Sequence, residues 1–354
     1  MRKFYLDNIR WATVLLVMIY HVFYMFNAVG VMGGVGSFHK VQYQDGFLYF
    51  VYPWFMVLLF LIAGISARYA LEKMPAKEFI RKRTWKLLLP STLGLFAYQW
   101  IVGYYNIKIG GGLEYIPSFL IYPISAISGI GPLWFVQVLW LYSLLVLLIR
   151  KIDRKNSLWK LGKRCNFIML FLFTFFIWAG AQILNAPVIT VYRFGIYMIA
   201  FLLGYFVFSH DNVQEMLEKM CLPMLIISLS MGMIYTVAYF GENYADEGVL
   251  QSLFTNVYAW FMVLTILGCG KKWFDRHNRF SEYMTKTGYG LYVLHYTFVA
   301  IPCYYLKNYT ILPVWTVYIA ALLIEFVCTP VLYEVISRIP VIRCLVLGAG
   351  RKND

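Results

Sequence analysis

"RWATVLLVMIYHVFYMFNAVG", residues 10–30, decides the fold. Apart from Arg10 at its head and His21 in its middle, it has no acidic or basic side chain. As a helix rising about 1.5 Å per residue it is roughly 30 Å long, the thickness of a bilayer's hydrocarbon core. Similar stretches recur near 47–70, 87–104, 131–150, 166–185, 191–209, 221–240, 251–270, 288–306 and 313–336. The 354 residues are 61% hydrophobic and only 14% charged, against about a quarter charged in soluble domains. The sequence therefore predicts an all-α, polytopic integral membrane helical bundle of about ten transmembrane helices. It forms one domain over 1–354, with no separate soluble domain.

The net charge of +14 raises the question of nucleic acid, and the placement of the cations answers it. With the N-terminus inside, 27 of the 31 Lys and Arg fall on the inner side. Only Lys40, Lys108 and Lys307 fall outside, and Arg193 lies within a span. The positive-inside rule then places both termini in the cytoplasm. The basic charge records topology and membrane-lipid contact, with no nucleic-acid partner. The expected location is a plasma membrane of the bacterial inner-membrane type, crossed many times. The first stretch is too long for a secretory h-region and lacks a small-residue cleavage site, so it reads as a retained helix. The six cysteines are scattered without paired spacing, so no metal site or disulfide framework is indicated. The apolar outer segment 105–130 is expected to fold back onto the helices.

Arg10 and His21 are 11 residues apart. At about 100° per residue that is roughly 20° beyond three full turns, which puts both on one helix face, about 16 Å apart along the axis. Arg10 falls at the cytoplasmic surface, where Asp7 is an i,i+3 partner. His21 falls deeper, where an ionisable group is costly and faces a partner or a cavity. A histidine there either ties two helices together by hydrogen bonding or serves as a general base towards a hydroxyl near neutral pH. A donor held by its phosphates at the surface needs an arm of about 16 Å to reach it, and coenzyme A has one. "FIRKRTWKLLLP" (79–90) supplies Arg81, Arg83 and Lys86 next to the third stretch. The cluster serves either as a topology signal or as a phosphate grip.

Five further residues are candidates for a substrate path: His295 in the ninth stretch, Arg193 near the outer end of the sixth, Glu325 deep in the last, and Gln137 with Trp134 in the fourth. Packing or structural roles are the ordinary alternatives. A snorkelling or salt-bridged state is the alternative for Arg193, and Glu325 is expected to need a His or Arg partner. His39 and Asp45, in the first outer loop, are read as solvated.

"YLDNIRWATVLLVMIYH" (5–21), with its Arg-ten-His spacing, resembles the first helix of the membrane acyltransferase-3 family. "FIRKRTWKLLLP" resembles that family's second cytoplasmic motif. "GPLWFVQVLWLYSLL" (131–145) and "GYGLYVLHYTFV" (288–299) resemble its fourth and ninth spans. "RIPVIRCLVLGAG" (338–350) is similar to the glucan-succinylating branch. The resemblance covers nearly the whole chain. It implies transfer of an acetyl or succinyl group from cytoplasmic acyl-CoA to a hydroxyl of a cell-envelope or exported glycan. The donor is a substrate, and no cofactor stays bound. Carried over, His21 is the catalytic histidine, either as the base towards the acceptor hydroxyl or as a transient carrier of the acyl group, Arg10 its motif partner, and Arg83 and Lys86, with Arg81 beside them, the acyl-CoA contacts. Lys86 departs from the arginine common at its position, which weakens bidentate phosphate binding there. The rival reading is an exporter of a glycan or lipid-linked sugar. It lacks the inverted repeat of interrupted helices usual in such carriers.

Overall fold

The structure is a computed structural model that describes residues 3–187 and 191–349. Arg2, Arg351 and Lys352, counted in the charge sorting, lie outside the described residues. Helix α1 runs Phe4–Met25, α2 Gly46–Val51 and α3 Phe55–Lys73. Next come α4 (Ala76–Arg83), α5 (Leu89–Gly94) and α6 (Trp100–Ile109), joined by wider i→i+5 turns at Thr84–Leu88 and Leu95–Gln99. α7 (Ile121–Ser128), α8 (Trp134–Ile152), α9 (Ser157–Gly162) and α10 (Phe167–Ala181) follow. A small antiparallel hairpin pairs β1 (Asn185–Pro187) with β2 (Val191–Arg193). The rest is again helical: α11 (Phe194–Leu203), α12 (Asp211–Lys219), α13 (Cys221–Tyr239), α14 (Glu247–Gln251) and α15 (Leu253–Trp273). Last come α16 (Arg279–Leu294), α17 (Thr297–Tyr309), α18 (Val314–Arg338) and α19 (Pro340–Leu347).

Among the described residues, six helical stretches are long and apolar enough to cross a bilayer. They are Phe4–Met25, Tyr43–Lys73, Gly131–Ile152, Cys221–Tyr239, Leu253–Trp273 and Val314–Arg338. Phe194–Phe208 with Asp211–Lys219, bent by 100°, brings the number to seven if counted as one span. The chain is thus an all-α membrane protein. Helix covers part of each of the ten stretches read from sequence, but the remaining ones are shorter or broken.

The deviations from the expected boundaries have local causes. α1 begins at Phe4 because Asp7 sits favourably in its first turn. It ends at Met25, where the Asn27 amide donates to the carbonyls of Tyr24 (2.8 Å) and Val31 (3.1 Å). Gly30, at φ +78°, then turns the chain in a way L residues resist. In the third stretch Pro90 has no N–H, so the Lys86 carbonyl loses its α-helical donor. The Tyr289 hydroxyl donates to it instead, at 2.5 Å. Segment 105–130 does fold back: Asn106 Nδ2 donates to Ser128 O at 3.0 Å. Gly103 of α6 allows the close crossing with α7, since a Cβ there would lie 1.7 Å from Ser125 O. The reading of Asp45 as solvated is corrected. It is buried, 1% exposed, at the start of α2, while His39 is exposed as expected.

The chain divides into two compact units. The first comprises Met1–Thr13, Tyr43–Phe79 and Leu141–Glu282. Within it α3 crosses α11 backbone to backbone, because a Cβ on Gly64 would lie 2.0 Å from Phe201 O. The second comprises Val14–Gln42, Ile80–Trp140 and Tyr283–Asp354. Its core gathers Val22 and Met25 from α1, and Phe26 just after it, against Val299 and Cys303 of α17 and Tyr318 and Ala321 of α18.

Candidate functional site

In the second unit, His21 lies four residues before the end of α1, well past its midpoint. Its Nδ1 is 2.8 Å from the Val17 carbonyl one turn back. A carbonyl only accepts, so Nδ1 carries the proton of the neutral ring. The same rule fixes His295. α16 ends at Leu294 and α17 starts at Thr297, and in that break His295 Nδ1 donates to Tyr292 O at 2.7 Å. His295 Nε2 is then an acceptor, 3.2 Å from His21 Nδ1. The His21 Nδ1–H is therefore shared between Val17 O and His295 Nε2, and the lone pair of His21 Nε2 has no hydrogen-bond partner among the described residues. His295 is fully buried and His21 half-buried. Tyr20, Tyr24 and Tyr296 ring His21, with centroids 5.4, 6.2 and 5.1 Å away. The arrangement holds one imidazole by its far nitrogen and presents the other nitrogen as a proton acceptor.

The basic motif lies in the same unit. Arg81 is exposed, Arg83 half-buried at the end of α4, and Lys86 exposed in the i→i+5 turn that follows. The helix widens between Arg83 and Lys86, so the two do not have regular α-helical spacing. The Lys86 ammonium lies 5.5 Å from the centre of the Tyr289 ring. Gly348, which caps α19 at φ +57°, packs onto this turn, and a Cβ there would be 2.4 Å from Trp85 O. Gln137 Nε2 donates to Ser91 O at 2.5 Å, so its amide ties α8 to α5. Trp134 stands at the start of α8 with its ring 6.4 Å from that of Phe135. Glu325 is fully buried, and neither carboxyl oxygen has a hydrogen-bond partner among the described residues. The His or Arg partner expected for it is not there, because α18 turns it towards the apolar core beside Cys303.

In the first unit, Arg10 Nη1 pairs with Asp7 Oδ1 at 3.1 Å, the i,i+3 contact expected from sequence. Its Nη2 donates to Ser66 Oγ at 2.6 Å. Arg193 neither snorkels nor enters a salt bridge among the described residues. It is 1% exposed, and its Nη2 donates to Leu250 O (3.0 Å) and Asn256 Oδ1 (2.8 Å). It fastens the β-hairpin to α14 and α15.

Arg10 also borders a cavity of about 810 Å³, wholly within the first unit. The N-terminal segment, the end of α3, α9 and the start of α12 line it. Sequence reasoning counted its lysines as topology charges and missed the cavity, because no motif or spacing joins these four segments.

A family model described as an acyltransferase domain, that of the acyltransferase-3 family, matches residues 3–334 and so runs through both units. Neither the curated proteins nor the solved structures yield a match.

Proposed function

Since this chain belongs to the acyltransferase-3 family and is a multi-pass membrane acyltransferase, we propose that it moves an acetyl or succinyl group from acyl-CoA to a hydroxyl of a cell-envelope or exported glycan. The observation that carries the reading is the pairing of His21 with His295, which leaves His21 Nε2 free to accept a proton. In the proposed step, His21 Nε2 takes the proton of the acceptor hydroxyl as its oxygen attacks the thioester carbonyl. The carbon–sulfur bond breaks, and the coenzyme A sulfur leaves with the proton returned from His21. His295 is a positioning residue: it accepts from Nδ1–H and so holds the ring and its tautomer. Arg10, Arg83 and Lys86, with Arg81 nearby, are proposed to meet the donor's phosphates by charge-assisted hydrogen bonds. The charge sorting supports a plasma-membrane location with donor and both termini in the cytoplasm.

The test uses purified full-length protein. Slow hydrolysis of acetyl-CoA or succinyl-CoA, abolished in His21→Ala, supports the reading. No hydrolysis of either, and no acyl transfer to envelope glycan by mass spectrometry, overturns it in favour of a carrier.

A further inference from the structure

The cavity of the first unit contains more cation than its own carboxylates neutralise. Three acids line it, and each has a cation: Asp7 pairs with Arg10, Glu72 with Arg68 at 2.9 Å, and Asp211 with Lys3. Burial alone would lower the Lys3 ammonium pKa, but hydrogen bonds to Asp211 and Tyr69 outweigh it and raise the pKa, so this lysine stays charged. Lys73 and Lys163 also line the cavity, are exposed, and enter no ion pair among the described residues. Two full positive charges therefore face one concavity with no internal partner.

The wall behind them is tied together by stacking and hydrogen bonds. The Arg68 guanidinium lies 4.2 Å from the Trp159 ring centre, and the His210 ring stacks on Trp159 at 4.2 Å. Trp159 Nε1 donates to Ser209 Oγ at 3.1 Å, and His210 Nε2 donates to Trp159 O at 2.8 Å. Trp159 and Tyr69 give the cavity aromatic surface, and Ser66 and Ser209 line it as well. Its volume of about 810 Å³ falls within the roughly 300–1,000 Å³ usual for small-molecule sites.

We propose that this cavity binds an adenosine carrying two phosphates, the chemistry of one end of coenzyme A, with Lys73 and Lys163 as its phosphate contacts. The identity of the ligand rests on the acyltransferase reading. The ligand class follows from the cavity itself: two uncommitted ammonium groups suit two phosphates, and Tyr69 and Trp159, which line it, suit contact with a base. A lipid headgroup offers the same phosphate chemistry without the base.

The experiment is calorimetric titration of the purified full-length protein, in uncharged detergent, with adenosine 3′,5′-bisphosphate, adenosine and inorganic phosphate. The bisphosphate is expected to bind more tightly than either fragment. Lys73→Ala and Lys163→Ala should each weaken it about fivefold, and the double variant more than about tenfold, as expected for lost charge-assisted contacts at an exposed site. Lys163→Arg should restore most of the affinity. Both positions are exposed, and unchanged thermal unfolding of the variants checks that they fold. Three results overturn the proposal: no bisphosphate binding by the parent, binding indifferent to both lysines, or bisphosphate no better than inorganic phosphate while phosphatidylglycerol micelles compete in a lysine-dependent way. The last assigns the lysines to lipid headgroups. A protein that hydrolyses acyl-CoA but ignores the bisphosphate keeps its proposed function and loses this site. One that binds the bisphosphate without hydrolysing acyl-CoA does the reverse.

Discussion

His295 Nε2 stands 3.2 Å from His21 Nδ1, although the two residues are 274 positions apart. Each ring also gives its Nδ1 proton to a backbone carbonyl of its own helix segment, Val17 O for His21 and Tyr292 O for His295. Backbone carbonyls cannot donate, so the proton positions follow from the partners, and the bare nitrogen of the pair is His21 Nε2.

That assignment makes His21→Gln the decisive substitution. A glutamine keeps hydrogen-bonding groups but takes up no proton. Acyl transfer is expected to fall about 10²- to 10⁴-fold, the usual cost of losing a general acid–base group, with expression and thermal unfolding near those of the parent. A His21→Gln protein retaining more than about a tenth of the parent rate, against that expectation, would reduce His21 to a structural tie.

His295 acts through His21, so its replacement should divide by chemistry rather than by size. His295→Leu removes the acceptor for Nδ1–H, and kcat should fall about two- to tenfold, the worth of one modest hydrogen bond. The KM for acyl-CoA should stay put, because the proposed phosphate contacts do not include His295. His295→Gln supplies an amide oxygen in the acceptor's place and should recover much of the loss. Equal loss in both variants, or a shift in KM alone, would contradict the positioning role.

The class of fold was legible because the bilayer as solvent imposes long apolar runs, and positions 10–30 carry that imprint plainly. The Asp7–Arg10 pair was legible because i,i+3 neighbours meet on any helix. Three kinds of feature were not. The break at His295–Tyr296 and the wide turns around Lys86 depend on packing and on the N–H missing from Pro90, and neither disturbs hydropathy. The contact of His21 with His295 joins two stretches that no periodicity links. Lys73 and Lys163 carry the same charge whether they report topology or line a cavity, so only the fold separates the two readings. Buried Asp45 and partnerless Glu325 fall in the last group as well, since a polar letter in the sequence does not say which way a helix turns it.

The basic motif should act on the donor alone. Arg83→Ala and Lys86→Ala are expected to raise the KM for acyl-CoA, each by the equivalent of about 1.5–3 kcal/mol if the phosphate contact is charge-assisted. Maximal rate should change little. Arg83→Lys should recover only part of the loss if the contact uses the guanidinium fork. Unaltered acyl-CoA affinity in both alanine variants would leave the cluster as a topology signal.

The orientation is open to direct labelling. Ser157, at the start of α9, and Asn243, between α13 and α14, fall on opposite sides in the charge sorting. In intact cells, an impermeant thiol reagent is expected to label Asn243→Cys and to leave Ser157→Cys unlabelled until the membrane is opened. The reverse pattern would put the donor on the wrong side.

Arg193 distinguishes structure from substrate recognition in the first unit. Its Nη2 bonds Asn256 Oδ1 and Leu250 O, and the side chain is buried. Asn256 Nδ2 also donates to Leu250 O, at 3.0 Å, so that carbonyl keeps a partner when the arginine goes. Asn256 Oδ1 does not, and orphaning a buried acceptor costs about 1–3 kcal/mol. Arg193→Ala should therefore lower the apparent unfolding temperature while acyl-CoA hydrolysis per folded molecule stays close to the parent value. Asn256→Ala should lower it too. The double variant should lose less than the two single losses combined, because the two side chains share one interaction. An Arg193→Ala protein of parental stability that hydrolyses acyl-CoA normally yet fails to acylate the glycan would instead assign the guanidinium to the acceptor.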